Sequence, residues 1–133
     1  MSSQADAPKR PSLLAAIPVL HVGSSVAAEE FYCGRLGFRR HFAHYLDDTR
    51  PDPCYSGISR DGVWLHVSSF SGDGVSGGVV HLEVDDVDAL HAELIARGVA
   101  IDSGPMDQTW GARELYVKDP DRNTIRFVDH RRG

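Results

Sequence analysis

The side chains in this sequence that can do chemistry sit mostly on short stretches alternating apolar and polar residues. In GVVHLEV, residues 78–84, Val80, Leu82 and Val84 take one parity and Val79, His81 and Glu83 the other. A strand turns successive side chains to opposite faces, so the first set packs against a core and the second shares the opposite face. The same alternation groups Ile17, Val19 and His21 within residues 15–22, and Trp64, His66 and Ser68 within 63–69. Imidazoles set out in this way can ligate a metal or serve as general bases near neutral pH, and Arg126 can steady an enolate or carboxylate beside them. Trp64 and Tyr116, inward by parity, and Trp110, in a loop beside Gly111, offer faces on which flat rings stack.

Each of these residues also has a plainer reading. An inward histidine is more often a hydrogen-bonded pocket residue than a ligand, which suits His21 and His81 one at a time; with His66 added, a functional pocket is the better reading. Glu83 and Glu114 have Arg126 and Arg113 as potential ion-pair partners, because a buried charge without a partner is costly. Trp64 and Tyr116 can be explained as volume alone. His41 and His44 lie on a strand whose facing the pattern does not fix. Cys33 and Cys54 have no adjacent base and read as inert thiols. The run Ser71-Gly72-Asp73-Gly74 lacks the lysine and the following helix of a phosphate-cradling loop, and the sequence has no nucleophile elbow.

Two halves of similar order must position these groups. The first reads as a strand at 15–22, a helix over 26–36 with Ser24 and Ser25 as caps and Gly37 as its stop, and strands at 38–46, 54–60 and 63–69. The last two strands are joined by a tight Asp61-Gly62 turn, and Ala28, Phe31, Tyr32 and Leu36 form the buried stripe of the helix. The second half reads as a strand at 78–84 and a helix over 86–97, capped by Asp85 and Asp86 and closed by Gly98. Val87, Leu90, Leu94 and Ile95 are its buried stripe. A weak strand near 99–103, strands at 112–118 and 124–129, and a turn at 119–122 complete it. Ser71 to Gly78 is a linker, and residues 1–12 are a flexible tail. The fold class expected is α+β: one domain over 13–133, built of two βαβββ modules at 13–70 and 78–130.

Composition narrows the function classes. The chain has 133 residues, 41% hydrophobic and 25% charged, which is a globular balance. A net charge of −5, from 19 acidic against 14 basic residues, argues against a nucleic-acid binder, whose basic stripe is missing. Arg39-Arg40 and Arg131-Arg132 are too short to serve. No apolar run approaches the roughly 20 residues of a membrane span, and MSSQADAPKRPS is too polar for a secretion signal. Two cysteines make no disulfide framework. The expectation is a soluble, cytoplasmic protein with neither nucleic acid nor membrane as partner, whose acidic cleft can attract a cationic small molecule.

The runs FYCGRLGF (31–38), HLEVDDVDALHAELIARGV (81–99) and KDPDRNTIRF (118–127) resemble the vicinal-oxygen-chelate superfamily, which includes glyoxalase I, ring-cleaving dioxygenases, and fosfomycin- and bleomycin-resistance proteins. GVWLHVSS (62–69), SGDG (71–74), WGARE (110–114) and the second half are similar to its antibiotic-binding, bleomycin-resistance-like branch. The resemblance covers nearly all of 15–129. It implies mixed sheets curled around a cavity, commonly in a homodimer that pairs or exchanges modules. In the enzymes of the superfamily, a divalent metal is held from the first and last strands of each module, usually by His and Glu. Aligning the two modules puts Ile17, His66, Val79 and Arg126 at those positions.

Two aliphatic side chains offer no lone pair and a guanidinium repels a cation, so His66 alone could coordinate there, where three ligands are normal. No metal and no cofactor are expected at that place. A displaced site from His21, His66, His81 and Glu83 or Glu114 is weaker, because a rise of about 3.3 Å per residue scatters those groups. The expected function is metal-free capture of an antibiotic, bleomycin-like and cationic, at His21, Trp64, His66, His81, Glu83, Trp110, Glu114, Tyr116 and Arg126, with no catalytic residue. Two rivals remain: a metal-dependent lyase, isomerase or dioxygenase, and a metal-free catalytic pocket with His66 as base. Arg122 stands where the family turn usually has glycine, and the turn is expected to survive with a positive φ.

Overall fold

Capping residues and strand alternation lay down the same unit twice. In the computed structural model, which describes residues 9–130, β1 (Val19–His21) leads into α1 (Ser25–Glu29), which continues as a π-helical segment (Glu30–Arg35). Strands β2 (Arg39–Tyr45), β3 (Cys54–Arg60) and β4 (Val63–Ser68) follow. The second unit runs β5 (Val79–Glu83), α2 (Val87–Ala96), β6 (Ser103–Asp107), β7 (Arg113–Lys118) and β8 (Thr124–Asp129). The result is two four-stranded mixed sheets, β1-β4-β3-β2 and β5-β8-β7-β6. The first strand of each unit is parallel to the last, and the other pairs are antiparallel. The expected α+β class and duplicated order are found, but neither sheet closes into a barrel.

Local chemistry explains the element ends. Ser24 accepts from the Ala27 N–H at 3.1 Å and Asp86 from the Ala89 N–H at 3.0 Å, each satisfying a donor the first helical turn leaves orphaned. Gly37 (φ 79°) and Gly98 (φ 77°) end the helices in the left-handed conformation that glycine enters freely. Arg122 takes φ 66° in the turn, as expected of a side chain standing in glycine's usual place.

One face of each sheet and the facing helix stripes make a single core. Leu20, Leu65 and Ile58 of the first sheet and Leu115, Val117 and Ile125 of the second are buried with Tyr32, Leu36, Val87 and Leu94 from the helical segments. Each such side chain contributes about 1.5–3 kcal/mol by burial. The run KDPDRN ties the modules together. Asn123, fully buried, donates to the His21 carbonyl at 2.8 Å and accepts from the Gly77 and Gly78 N–H groups, and Asp119 accepts from the Tyr32 hydroxyl at 2.7 Å. That motif is therefore structural.

Four expectations need correction. β1 is only Val19–His21, because Pro18 has no N–H to give to a ladder. The first helix has the expected extent but turns π-helical, with the Leu36 N–H reaching the Phe31 carbonyl at 3.0 Å. The weak strand near 99–103 is instead β6 at Ser103–Asp107, an irregular edge strand in which the register shifts between Ser103 and Met106. Ile95 is 54% exposed, since it lies about 100° around the helix from Leu94. Of the expected tail, residues 1–8 lie outside the described residues, as does the Arg131-Arg132 pair, and 9–12 are exposed without regular structure.

Candidate functional site

The sheet faces turned away from the core carry the site residues, and each sheet gathers its own cluster. On the first, β1 pairs Val19 with His66 and His21 with Ser68, while β3 pairs Gly57 with His66 and Tyr55 with Ser68. The His66 Nδ1 lies 2.7 Å from the Tyr55 hydroxyl. Burial holds the His66 imidazole below its usual range and, with the charge of Asp73, raises the Tyr55 phenol, so both stay neutral near pH 7. A neutral phenol and a neutral imidazole can each donate or accept, so the tautomer of His66 sets the direction of this bond. Phe42 lies over Gly57 so closely that a Cβ there would run into the ring, and meets His66 edge-on at 5.4 Å. Trp64 carries the His41 ring at 4.5 Å. The His21 Nδ1 is buried without a hydrogen-bond partner, and its ring remains half-buried.

The second sheet is built around a carboxylate. Glu114, 5% exposed, accepts from the Trp110 indole N–H at 2.9 Å and from the Tyr116 hydroxyl. That bond to Glu114 raises the Tyr116 phenol above its usual range. The Arg126 guanidinium carbon stands 5.3 Å from the centre of the Tyr116 ring, a cation–π contact. The indole ring of Trp110 itself remains open, the residue being 67% exposed. The ion pairs expected of the two glutamates do not form. Arg113 is taken by Asp88 and Asp107, at 3.0 and 3.2 Å, and Glu83 contacts His130 at 2.8 Å and His81 at 3.4 Å. Parity assigns a face correctly but leaves the rotamers free, and nearer donors take both carboxylates.

Between the sheets, Trp64 and His81 meet across a recess of about 400 Å³ walled by residues 15–18, Gly62, Val63, Val80 and Leu82. The other site residues are not brought into one enclosed cavity: Val79 and His81 are exposed, as are Glu83 and Arg126. At the four positions where a metal is expected in related enzymes stand Ile17, His66, Val79 and Arg126, with one lone-pair donor among them. His21 and His66 do not join His81 in a donor cluster. Among the described residues the group that does form is His81, Glu83 and His130, its ligand atoms within 4.8 Å of one another.

Sequence reasoning missed Phe42, Tyr55 and His130. Gly57 between Tyr55 and Ser59 was the available signal for the first two, since a glycine in a strand marks close approach by another group. His130 follows β8 with the parity of Arg126, so alternation carried one step past the strand would have found it. The thiols are as expected: Cys54 is buried, and Cys33 is half-buried with its pKa pushed up by burial and by Glu29.

This geometry has relatives. The chain is similar to a bleomycin resistance protein from Geobacillus stearothermophilus, 26% identical over 86% of this chain and 96% of the relative. It also resembles the crystal structure of TnmS3, an antibiotic binding protein from Streptomyces sp. CB03234, at 26% identity with a TM-score of 0.66, covering 90% of this chain and 98% of that one. A bleomycin-binding protein complexed with bleomycin shares the fold, with a TM-score of 0.67 and 23% identity over 88% of this chain and 98% of that one. Residues 10–133 match the sequence profile of a glyoxalase superfamily protein. The chain belongs to the glyoxalase superfamily.

Proposed function

We propose that this protein captures a small, partly aromatic, cationic antibiotic of the bleomycin type and holds it chemically unchanged. The observation that carries the reading is Glu114. Its carboxylate is buried, is held by an indole and a phenol, and has no ion-pair partner among the described residues. A cation arriving at Trp110 and Tyr116 would meet a charge already desolvated and oriented, and the rings would stack on its flat parts. Phe42, Tyr55, Trp64 and His66 supply a second aromatic surface on the other sheet. The metal-free aspect is supported by the donor chemistry of the four strand positions, one imidazole among two aliphatics and an arginine.

The same reading makes the protein a cytoplasmic homodimer engaging neither nucleic acid nor membrane. Its acidic balance supports the lack of a nucleic-acid partner, and among the described residues no helix is long and apolar enough to cross a membrane. A second reading has one observation in its favour: the neutral, hydrogen-bonded Tyr55–His66 pair could move a proton to or from a ligand without a metal. The test is calorimetric titration with bleomycin in the presence of a chelator, followed by mass spectrometry of the ligand. Stoichiometric binding that returns bleomycin unaltered is the expected result. A converted product would replace capture by catalysis, and binding that requires added metal would replace it by a metal-dependent activity.

A further inference from the structure

We infer that His81, Glu83 and His130 form a binding site for a divalent transition metal, separate from the strand positions that serve related enzymes and independent of the capture reading. His81 and Glu83 are two residues apart on β5 and so share its outward face. The parallel partner β8 sets Glu83 opposite Val128. The chain leaves β8 at Asp129, a buried carboxylate that accepts the Val87 N–H at 3.1 Å and fixes that strand end to the start of α2. The next residue, His130, is thereby turned to the side where Glu83 stands.

Both imidazoles direct Nε2 at the same carboxylate oxygen. His130 approaches the Glu83 Oε2 to 2.8 Å and His81 to 3.4 Å, and the two rings lie 6.0 Å apart and 22° from parallel. Exposed contacts of this kind add little to stability, so the fold does not need three of these groups in one place. A metal does. Zinc bonds of about 2.0–2.2 Å in a tetrahedral array place donor atoms on the order of 3.4 Å from each other. The three ligand atoms here already lie within 4.8 Å of one another on exposed, rotatable side chains. Two imidazoles and one carboxylate suit Zn²⁺, Ni²⁺, Co²⁺ or Cu²⁺ and fit Mg²⁺ or Ca²⁺ poorly. The neighbouring cation is turned aside: Arg126 pairs in register with His81 but carries its guanidinium over Tyr116, on the strand beyond. With three protein ligands, the remaining positions stay open to water or a donor from a bound molecule.

The test uses tag-free full-length protein stripped with a chelator and titrated with Zn²⁺ by calorimetry, with native mass spectrometry for stoichiometry and the visible spectrum of the Co²⁺ form for coordination. One equivalent per chain is expected. His130→Ala and Glu83→Gln should each weaken binding at least tenfold and change the Co²⁺ spectrum, while His91→Gln on α2 leaves both unchanged. Circular dichroism establishes that the variants are folded. The proposal is overturned if the protein takes up no Zn²⁺, or if the folded His130→Ala and Glu83→Gln variants keep wild-type affinity. Bleomycin titration in chelator reads the capture function separately, so failure of either idea leaves the other standing.

Discussion

Glu114 is the residue on which ligand charge would act, and its replacement separates charge from shape. Glu114→Gln keeps one acceptor oxygen for the Trp110 indole N–H, turns its amide N–H toward the Tyr116 hydroxyl, which can accept, and removes the negative charge. Affinity for a cationic ligand should fall at least tenfold, about 1.4 kcal/mol, while the melting temperature moves little; an unchanged isotherm would show that the carboxylate is not the counter-ion. His66 supports a prediction in pH. Its folded pKa lies below the ordinary value of 6.5 because burial disfavours the charged ring. The unfolded chain therefore binds a proton more readily, and stability present above pH 6.5 is lost as pH falls below it toward the folded pKa. Denaturant midpoints measured between pH 8 and pH 5 should drop less steeply in His66→Gln than in the wild type. At this scale alternation was legible: it placed Trp64, His66 and Tyr116, with His81 and Glu83, on the faces turned away from the core. Partners were not legible, because Glu114 chose an indole and a phenol over the arginines that charge alone would select.

At the level of elements, the outward face of the first sheet depends on a missing side chain. Gly57 in β3 leaves room for the Phe42 ring, and any Cβ at that position collides with it. Gly57→Ala should force Phe42 off the sheet, loosen its edge contact with His66 and destabilise the protein by about 1–3 kcal/mol, the usual range for overpacking. Thermal or urea unfolding checks the loss, and the Phe42→Ala/Gly57→Ala double variant should cost less than the two single changes added together, as expected of residues in contact. Most elements could be read from sequence because their signals were local: Ser24 and Asp86 at helix starts, Gly37 and Gly98 at helix ends, and the Asp61-Gly62 turn. β6 could not. Gly104 and Pro105 lie past the weak strand expected near 99–103, yet an edge strand tolerates proline and a register shift absorbs the irregularity. Its pairing with β7 is a long-range fact that no local window contains.

On the scale of the whole molecule, the two clusters pose a geometric problem that one chain leaves open. The aromatic set lies on the first sheet and the acidic set on the second, and neither sheet closes over its own outward face. Those faces are apolar at and around the recess: Ile17 is 40% exposed, Val19 42% and Val79 55%, and the segment that leads into β1 carries Leu13 and Leu14 almost fully in the open. Aliphatic surface gathered next to polar site residues marks an interaction surface, and a second copy of the chain would cover it symmetrically, placing two equivalent crevices between the subunits. Ligand binding would then depend on assembly. Light scattering should give twice the chain mass of 14.6 kDa. Val79→Lys, which puts a charge on the outward face without touching the core, should shift the mass toward the monomer and weaken bleomycin binding in proportion to the dimer lost. If the variant is monomeric and binds as tightly as the wild type, the site belongs to one chain; if the wild type is itself a monomer at micromolar concentration, the apolar faces serve some purpose other than pairing.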